Sequence, residues 1–226
     1  PFISGLSYRI NLANNYRTTS LYYYQPYALN FQGEGSKTET KGQDLTLDNV
    51  VTYQKVFNNV HNLDITLVYG LEKRSFNSTT AYASVFSAQE LGYNNLQVGS
   101  ADQQEARSSA WEEASLYNMA RIFYSYRNKY LLTGTVRRDG FSGFGEANKF
   151  GLFPSLSVAW VLSEESFADN FDWMDLFKLR VSYGSNGNRT VGRYATLAVV
   201  EGGFNYIIAD GTSVYTRNIV SMASPN

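Results

Sequence analysis

The 226-residue sequence has no cysteine, a single histidine, only four prolines and no run of 18 apolar residues. Without cysteine it carries no signal of redox compartment, and Ser-His-Asp or Cys-His catalysis would have to use His61. The lack of a long apolar run excludes a membrane-spanning helix. No basic and apolar segment stands at the N-terminus, so we expect that no signal peptide is included.

The sequence also lacks an excess of either charge, because 19 lysines and arginines stand against 20 aspartates and glutamates and the formal net charge is -1. Nucleic acid requires a basic surface, so nucleic-acid binding is not expected. Aromatic residues, in contrast, are abundant, with 18 tyrosines and 14 phenylalanines. This composition favours a β-rich protein with aromatic belts. The negative mean hydropathy fits a transmembrane barrel, in which only every second strand residue faces lipid.

Residues 130–140 show the clearest strand pattern. Leu132 and Val136 share one parity, whereas Thr133 and Thr135 share the other, as in a strand with one apolar face. About ten residues of alternation is the length that a tilted strand needs to cross a bilayer, and it exceeds the usual soluble strand. The run therefore predicts a strand of a transmembrane barrel, with Leu132 and Val136 facing lipid.

Several motifs occur in one order along the same part of the chain. They are residues 128–133 (NKYLLT), 137–140 (RRDG), 144–145 (FG), 153–155 (FPS), 163–165 (SEE), 179–184 (LRVSYG) and 187–188 (GN). Together they resemble the barrel signature of SusC/RagA-type TonB-dependent outer-membrane transporters. The match is tightest over about residues 117–194 and weaker over 45–72. The loop departs from the family pattern at Phe141 and Gly143, where small polar and basic residues are more common.

The resemblance implies an antiparallel transmembrane β-barrel in the outer membrane of a Gram-negative bacterium. It also implies TonB-dependent import of oligosaccharides or peptides, a SusD-like surface lipoprotein as partner, and coupling to the TonB complex through an N-terminal plug. The chain can supply about eight to ten strands, whereas plugged barrels of this kind close with about 22. We therefore expect residues 1–226 to be part of one barrel domain, without the plug.

Two other classes of protein fit parts of the pattern. The main alternative is a small closed outer-membrane barrel of about eight to ten strands with a structural or adhesive role. A soluble β-sandwich is disfavoured, because its strands would be shorter and its loops would rarely reach forty residues.

Further strands are predicted from alternation and turn residues. The predicted strands cover 2–12, 16–24, 45–57, 63–72, 114–126, 152–160, 177–183, 194–200 and 204–209. Short turns are predicted at Asn14, Asn58 and Asn128 on one rim. The loops Pro26–Asp44, Arg74–Glu113 and Asp139–Phe150 fall on the other rim and are predicted to be external. A short helix is predicted over Ser84–Leu91, ending at Gly92, and a helical turn within 163–175.

Aromatic residues in the predicted loops are the candidate substrate-binding residues. They are Tyr82, Phe86, Tyr93, Phe141 and Phe144. Rings of this kind can stack on sugars or on peptide side chains. The tyrosines between Tyr22 and Tyr27 share this possibility. The alternative interpretation is an interfacial belt combined with packing inside the loops.

The remaining polar motifs favour structural roles. His61 is predicted to be a solvated turn residue, and the glycine-rich 140–145 a hairpin tip, because no helix follows it to bind phosphate. Asp169, Asn170, Asp172 and Asp175 are predicted to form a solvated turn and not a calcium site, because Phe171 and Trp173 interrupt them. The pairs Glu112–Glu113 and Glu164–Glu165 would point to opposite faces of a strand. We therefore expect no enzyme activity, no cofactor and no metal.

Overall fold

A computed structural model describes the chain over residues 3–27, 32–145, 148–171, 175–188, 193–194, 196, 199–207 and 213–221. These residues form an all-β structure, as the sequence predicts. Its strands are β1 (Leu6–Gln25), β2 (Glu34–Phe57), β3 (His61–Ser84), β4 (Gln104–Tyr126), β5 (Tyr130–Phe141), β6 (Phe150–Val161), β7 (Lys178–Gly184), β8 (Val199–Ile207) and β9 (Ser213–Ser221).

Strands β1 to β7 form one sheet in the order of the sequence, and β8 pairs with β9 separately. Each strand of the large sheet is thus hydrogen-bonded to its neighbours along the chain. The antiparallel registers from β4 to β7 align Tyr126 with Tyr130, Tyr130 with Trp160, and Trp160 with Leu179. Such a meander needs only short connections on at least one rim.

Two predicted turns are confirmed and have a common geometry. Asn58 and Asn59 have φ angles of 49° and 56°, and Arg127 and Asn128 have 50° and 57°. In each turn the backbone N–H after this pair donates to the carbonyl before it, at 3.2 Å and 3.0 Å. Positive φ at both central residues defines the type I′ turn, whose twist suits a two-residue hairpin. Asparagine tolerates this conformation better than most residues.

The predicted turn at Asn14 is wrong, because β1 continues through this position. Gln43 Nε2 donates to Asn14 Oδ1 at 3.0 Å. This amide pair between strands gives Asn14 a partner that local sequence cannot reveal. The separate strands predicted over 2–12 and 16–24 are accordingly one strand; of the first, residue 2 lies outside the described residues.

Two predicted external loops are much shorter than expected. β2 already begins at Glu34, β3 extends to Ser84 and β4 begins at Gln104, so Pro26–Asp44 and Arg74–Glu113 are largely strand. Hydroxyl pairs hold these extensions together: the oxygens of Thr38 and Thr80 lie 2.9 Å apart, and those of Thr40 and Ser78 3.4 Å apart. Polar residues on both faces give no apolar alternation, which is why the strands were missed.

The helix predicted over Ser84–Leu91 is also wrong. Val85 and Phe86 donate their backbone N–H groups to the carbonyls of Gly33 and Gln32 at 3.0 Å, and Ser87 donates to Val98 at 3.1 Å. Val85 also has a positive φ of 58°, which a right-handed α-helix does not contain. Gly92 does not end a helix but opens the first of three 3-10 turns, at Gly92–Asn94, Leu96–Val98 and Ala101–Gln103.

The later connections follow the sequence more closely. Residues 142–149 join β5 to β6, close to the predicted loop Asp139–Phe150, and 3-10 turns at Leu162–Glu164 and Ala168–Asn170 confirm the helical turn. The strands predicted over 194–200 and 204–209 have wrong bounds, because β8 runs through the gap between them. Its register shifts between Gly202 and Phe204, so the glycine pair forms a bulge and not a break. Positions 195, 197–198 and 208–209 lie outside the described residues.

The paired strands confirm the predicted parity. Leu132 aligns with Tyr124 and Val158, and Val158 aligns with Val181, forming an apolar row across four strands. Leu132, Val158 and Val181 are 43%, 48% and 63% exposed. On the other parity Thr133 aligns with Phe123 and Ser157. One sheet face is thus apolar although it is exposed.

The residues cluster into two compact units. Pro1–Asn11, Asp48–Leu71 and Ser115–Asn226 form the first unit, and Leu12–Leu47 with Glu72–Ala114 form the second. Buried apolar residues are few and small in the described part of the chain, apart from Phe86 in the second unit and Phe141 in the first. Cross-strand pairing therefore contributes more to each unit than a conventional core does.

Candidate ligand-contacting surface

In the second unit, Tyr82 lies near the end of β3 and contacts the first residue of β2. Its hydroxyl donates to Glu34 Oε2 at 2.9 Å, and the hydroxyl of Tyr23 lies 3.3 Å from Glu34 Oε1. One carboxylate thus orients two tyrosines at the loop end of neighbouring strands. Sequence analysis identified Tyr82 but missed Glu34, which lies within a segment predicted to be loop.

Phe86 begins the loop that follows β3, and only 4% of its surface is exposed. Its ring packs edge-on against Tyr24, with centroids 5.5 Å apart and an interplanar angle of 79°. Its backbone forms an isolated bridge with Gly99. These contacts make Phe86 the anchor of the loop, so its predicted contact with substrate would require the loop to rearrange.

Tyr93 forms a half-exposed cluster with Tyr22 and Lys37 in the same unit. The two rings are 5.5 Å apart, and Lys37 Nζ lies 5.3 Å and 5.8 Å from the ring centroids of Tyr22 and Tyr93. Tyr22 is oriented by a 2.7 Å hydrogen bond from its hydroxyl to Glu39 Oε1. Aromatic faces with an adjacent cation are suited to stacking against sugars or aromatic peptide side chains. We call Tyr22, Lys37 and Tyr93 the loop cluster.

Phe141 and Phe144 come together at the tip between β5 and β6 in the first unit. Their rings pack edge-to-face with centroids 5.3 Å apart, and the Phe144 N–H donates to the Phe141 carbonyl at 3.2 Å. Phe141 is only 6% exposed, whereas Phe144 is half-buried. A Cβ added at Gly143 would lie 2.5 Å from the Phe141 ring, so glycine allows this packing. The tip confirms the predicted hairpin, because it joins the paired strands β5 and β6.

A polar network that sequence analysis missed lies on the polar face of the first unit. Arg137 Nε donates to both carboxylate oxygens of Asp139, at 2.8 Å and 2.9 Å. The Arg137 guanidinium lies 4.8 Å from the Tyr117 ring centroid, and the Tyr117 hydroxyl donates to Asp48. The polar parity of these residues was readable, but their contacts depend on the register of separate strands.

The polar face of the second unit is also rich in charge. Arg74 lies within ion-pair distance of Asp44 at 4.0 Å and Glu113 at 3.8 Å, and it contacts Glu72 more closely. Next along β3, the Phe76 ring stacks on Trp111 with centroids 5.6 Å apart and a 9° interplanar angle. The surface therefore offers carboxylates, a guanidinium and aromatic rings. All of these residues were assigned to loops by the sequence pattern, except Glu72, which was assigned to the end of a strand.

The prediction that His61 is a plain solvated turn residue is wrong. His61 is the first residue of β3, and its Nδ1 lies 2.7 Å from the hydroxyl of Tyr124. Its ring also packs near Tyr126, with centroids 5.0 Å apart. The stacking continues from Tyr126 to Tyr130 and from Tyr130 to Trp160, each at 6.4 Å. We call these five residues the aromatic row, which lies at the short-turn end of the strands.

Glu165 closes the aromatic row from the connection after β6. It accepts hydrogen bonds from the Tyr130 hydroxyl at 2.7 Å and Trp160 Nε1 at 3.0 Å, and Lys129 Nζ lies 3.4 Å away. The hydrogen bond from Tyr130 contributes most to holding the pKa of Glu165 below its usual range, and the contacts with Trp160 and Lys129 act in the same direction. Glu164 and Glu165 lie in a turn and not in a strand. The contacts with Tyr130, Trp160 and Lys129 give Glu165 a structural role.

Comparisons with known proteins decide the family. No protein-family model matches the chain. Two TonB-dependent receptors of Formosa agariphila are 30% and 32% identical over 92% and 87% of the chain. The TonB-dependent receptor SusC of Bacteroides thetaiotaomicron is 40% identical over 32% of the chain. The chain spans about a fifth of the length of the Formosa receptors and 7% of SusC.

Solved structures agree on the fold. A structure of the RagAB peptide transporter superposes on this chain with a TM-score of 0.87 and 20% identity. The superposition covers 99% of this chain and 25% of the RagAB chain. The RagAB peptide importer in its closed-closed state gives a TM-score of 0.88, also at 20% identity, over 99% of this chain and 24% of its own. This chain is a SusC/RagA-type TonB-dependent transporter segment.

The described residues of this SusC/RagA-type segment contain no group of three or more histidine, cysteine, aspartate or glutamate residues placed to hold a metal ion. Of the predicted aspartate turn, Asp172 lies outside the described residues. None of the described helical turns has the length and apolar character to cross a membrane.

Proposed function

We propose that this chain forms part of the barrel wall and external loops of an outer-membrane, TonB-dependent importer of oligosaccharides or peptides. The observation that carries the proposal is the apolar row through Leu132 and Val158. This row continues over four strands, and its side chains are exposed. Exposing such a face to water is unfavourable, whereas hydrocarbon accepts it. The names of the relatives support the same location and activity.

The opposite face then lines the interior and meets the substrate. The Arg137–Asp139 pair in the first unit and Arg74 with its carboxylates in the second provide hydrogen-bond donors and acceptors for polar cargo. Tyr82, Phe86, Tyr93, Phe141 and Phe144 remain our candidates for substrate contact in the loops. Tyr93 is the strongest of these candidates, because its ring is held against Tyr22 in the half-exposed loop cluster and remains accessible.

The domain and partner assignments are part of the same proposal. Residues 1–226 would belong to one barrel domain of a longer protein, with a SusD-like lipoprotein at the outer surface and TonB engaged elsewhere in the protein. A small closed barrel is less well supported, because β1 and β7 stand at the two edges of the sheet and do not pair with each other. The larger barrel gives both edges a neighbouring strand.

Uptake by the intact protein tests the proposal. A plugged barrel has no open pore, so import should collapse when the proton gradient is dissipated or TonB is deleted. The measurement is accumulation of labelled oligosaccharides and peptides by cells with and without TonB. Gradient-independent uptake would contradict active import and favour a porin-like barrel.

A further inference from the structure

A groove of about 450 Å³ lies on the surface of the first unit, lined by residues of β2 to β5. Leu67, Ala120 and Val136 line its apolar part, and Ala120 aligns with Val136 across β4 and β5. Leu67 and Val136 are 48% and 47% exposed. No atom lies within 4 Å of the position where a Cβ at Gly134 would be. Small residues on the apolar face thus leave room for a flexible hydrocarbon chain.

One end of the groove is polar and carries a positive charge. Arg138 and Asn118 are aligned across β5 and β4, and both line the groove with Asn49. The Arg138 guanidinium lies 3.9 Å from the Phe150 ring centroid. Its neighbour Arg137, on the opposite face, is paired with Asp139. Arg138 has no ion-pair partner among the residues that the structure describes, so its charge is available to an anion.

The position of Arg138 along the strand matches a membrane interface. It lies eight residues beyond Tyr130, which belongs to the aromatic row at the other end of β5. At ~3.4 Å per residue this separation is about 27 Å along the strand. With a tilt of about 35–45° it corresponds to roughly 20 Å of height, close to the ~25 Å apolar band of such barrels. Arg138 therefore lies at head-group level when the aromatic row lies at the other interface.

We propose that this groove binds one anionic membrane lipid that carries a phosphate group. Arg138 and Asn118 bind its phosphate, and an acyl chain lies along Leu67, Ala120 and Val136. A guanidinium binds phosphate oxygens by charge-assisted hydrogen bonds, while the apolar part excludes a water-soluble phosphate compound as the natural occupant. The inference rests on the membrane location in the proposed function, but on neither its substrate nor its coupling to TonB.

The test uses the full-length transporter that contains this segment, in nanodiscs of phosphatidylcholine with and without phosphatidylglycerol. Lipids that stay bound after detergent release are identified by native mass spectrometry. The unmodified protein should retain phosphatidylglycerol in preference to phosphatidylcholine. Arg138→Gln should reduce retention of phosphatidylglycerol about fivefold, the effect of one basic residue near an anionic lipid. Arg138→Lys keeps the charge and should retain most of the preference.

Two further variants separate the groove from general surface charge. Lys55→Gln removes an exposed cation on β2, where Lys55 Nζ lies 5.0 Å from the Phe57 ring, and it should leave retention unchanged. Ala120→Leu fills the groove without changing charge, and it should reduce retention of both lipids. If Arg138→Gln does not assemble, lipid retention by Ala120→Leu still tests the groove, because this variant leaves Arg138 in place.

The assembled state of each variant is checked by heat-modifiable gel mobility. An assembled barrel that retains no phosphatidylglycerol, or equal retention by Arg138→Gln and the unmodified protein, overturns the lipid site and leaves the membrane location intact. An equal loss in Lys55→Gln also overturns it, because the effect would then be general electrostatic attraction. Failure of the unmodified protein to assemble in lipid would instead overturn the proposed location, and the lipid site with it.

Discussion

The ring of Tyr117 on β4 occupies the space beside Gly70 on β3, so that a side chain at position 70 would overlap the tyrosine ring. The glycine makes room for the ring, and the Tyr117 hydroxyl then reaches Asp48 on β2. The same ring lies 4.8 Å from the Arg137 guanidinium. One missing side chain thus allows one aromatic ring to connect four strands of the first unit.

Gly70→Ala should displace Tyr117 and destabilise the barrel by about 1–3 kcal/mol, the usual cost of overpacking. The measurement is denaturant unfolding of the full-length protein in lipid. Gly134→Ala is the matched control, because no atom lies within 4 Å of the position of its added Cβ. Equal losses in the two variants would show that the destabilisation does not come from the Tyr117 contact.

Sequence analysis succeeded where the signal was local. The turns at Asn58 and Asn128 follow from the tolerance of asparagine for positive φ, and the faces of β5 follow from alternation within a dozen residues. It failed where partners are distant in sequence. Asn14 is held in a strand by Gln43, and His61 is held by Tyr124, which is 63 residues away.

The candidate site shows the same division. The loop aromatics were found because rings in polar loops are conspicuous, but whether a ring packs or stays exposed depends on the fold. Phe86 is buried against Tyr24, whereas Tyr93 lies in the half-exposed loop cluster. The Arg137–Tyr117–Asp48 network was missed because its members come from three strands. No local pattern contains that arrangement.

The assignment of the sheet faces predicts opposite results for neighbouring positions. Leu132→Arg places a charge on the apolar face and should cost up to about 2–4 kcal/mol, the cost of such a charge at the bilayer midplane. Thr133→Arg places it on the polar face, where water or a polar partner can reach it, and should cost far less. Both are measured by unfolding in lipid and by heat-modifiable mobility. A larger effect of Thr133→Arg would mean that the faces are reversed, and equal effects would exclude a lipid-facing strand.

The contacts of Glu165 predict a dependence of stability on pH. Because folding lowers its pKa, the stability it contributes is complete above the unfolded value of about 4.3 and is lost as pH falls through the lower folded value. Glu165→Gln should flatten this part of the curve of stability against pH. Glu164→Gln removes the adjacent exposed carboxylate and serves as the control. An unchanged curve in Glu165→Gln would remove Glu165 as the cause.

Protease accessibility tests the proposed orientation. The connection over residues 85–103 is far longer than the two-residue turn at Arg127 and Asn128, and barrels of this class place long loops outside. Protease added to intact cells should therefore cleave within 85–103 and spare the Asn128 turn. Mass spectrometry of the fragments identifies the cut. Cleavage at the Asn128 turn in intact cells would mean that the orientation is inverted.

Phe86 and Tyr93 belong to one loop but should respond differently to truncation. Phe86→Ala removes a buried ring, which costs up to about 3–5 kcal/mol in a core, so the loop should become more sensitive to protease. Tyr93→Ala removes a half-exposed ring from the loop cluster and should change this sensitivity little. It should weaken ligand binding by about 0.5–1.5 kcal/mol, the usual strength of an aromatic pair. Binding of a panel of oligosaccharides and peptides to both full-length variants measures the second effect. If Phe86→Ala weakens binding with the loop still resistant, and Tyr93→Ala does not, the roles of the two rings are the reverse of those proposed.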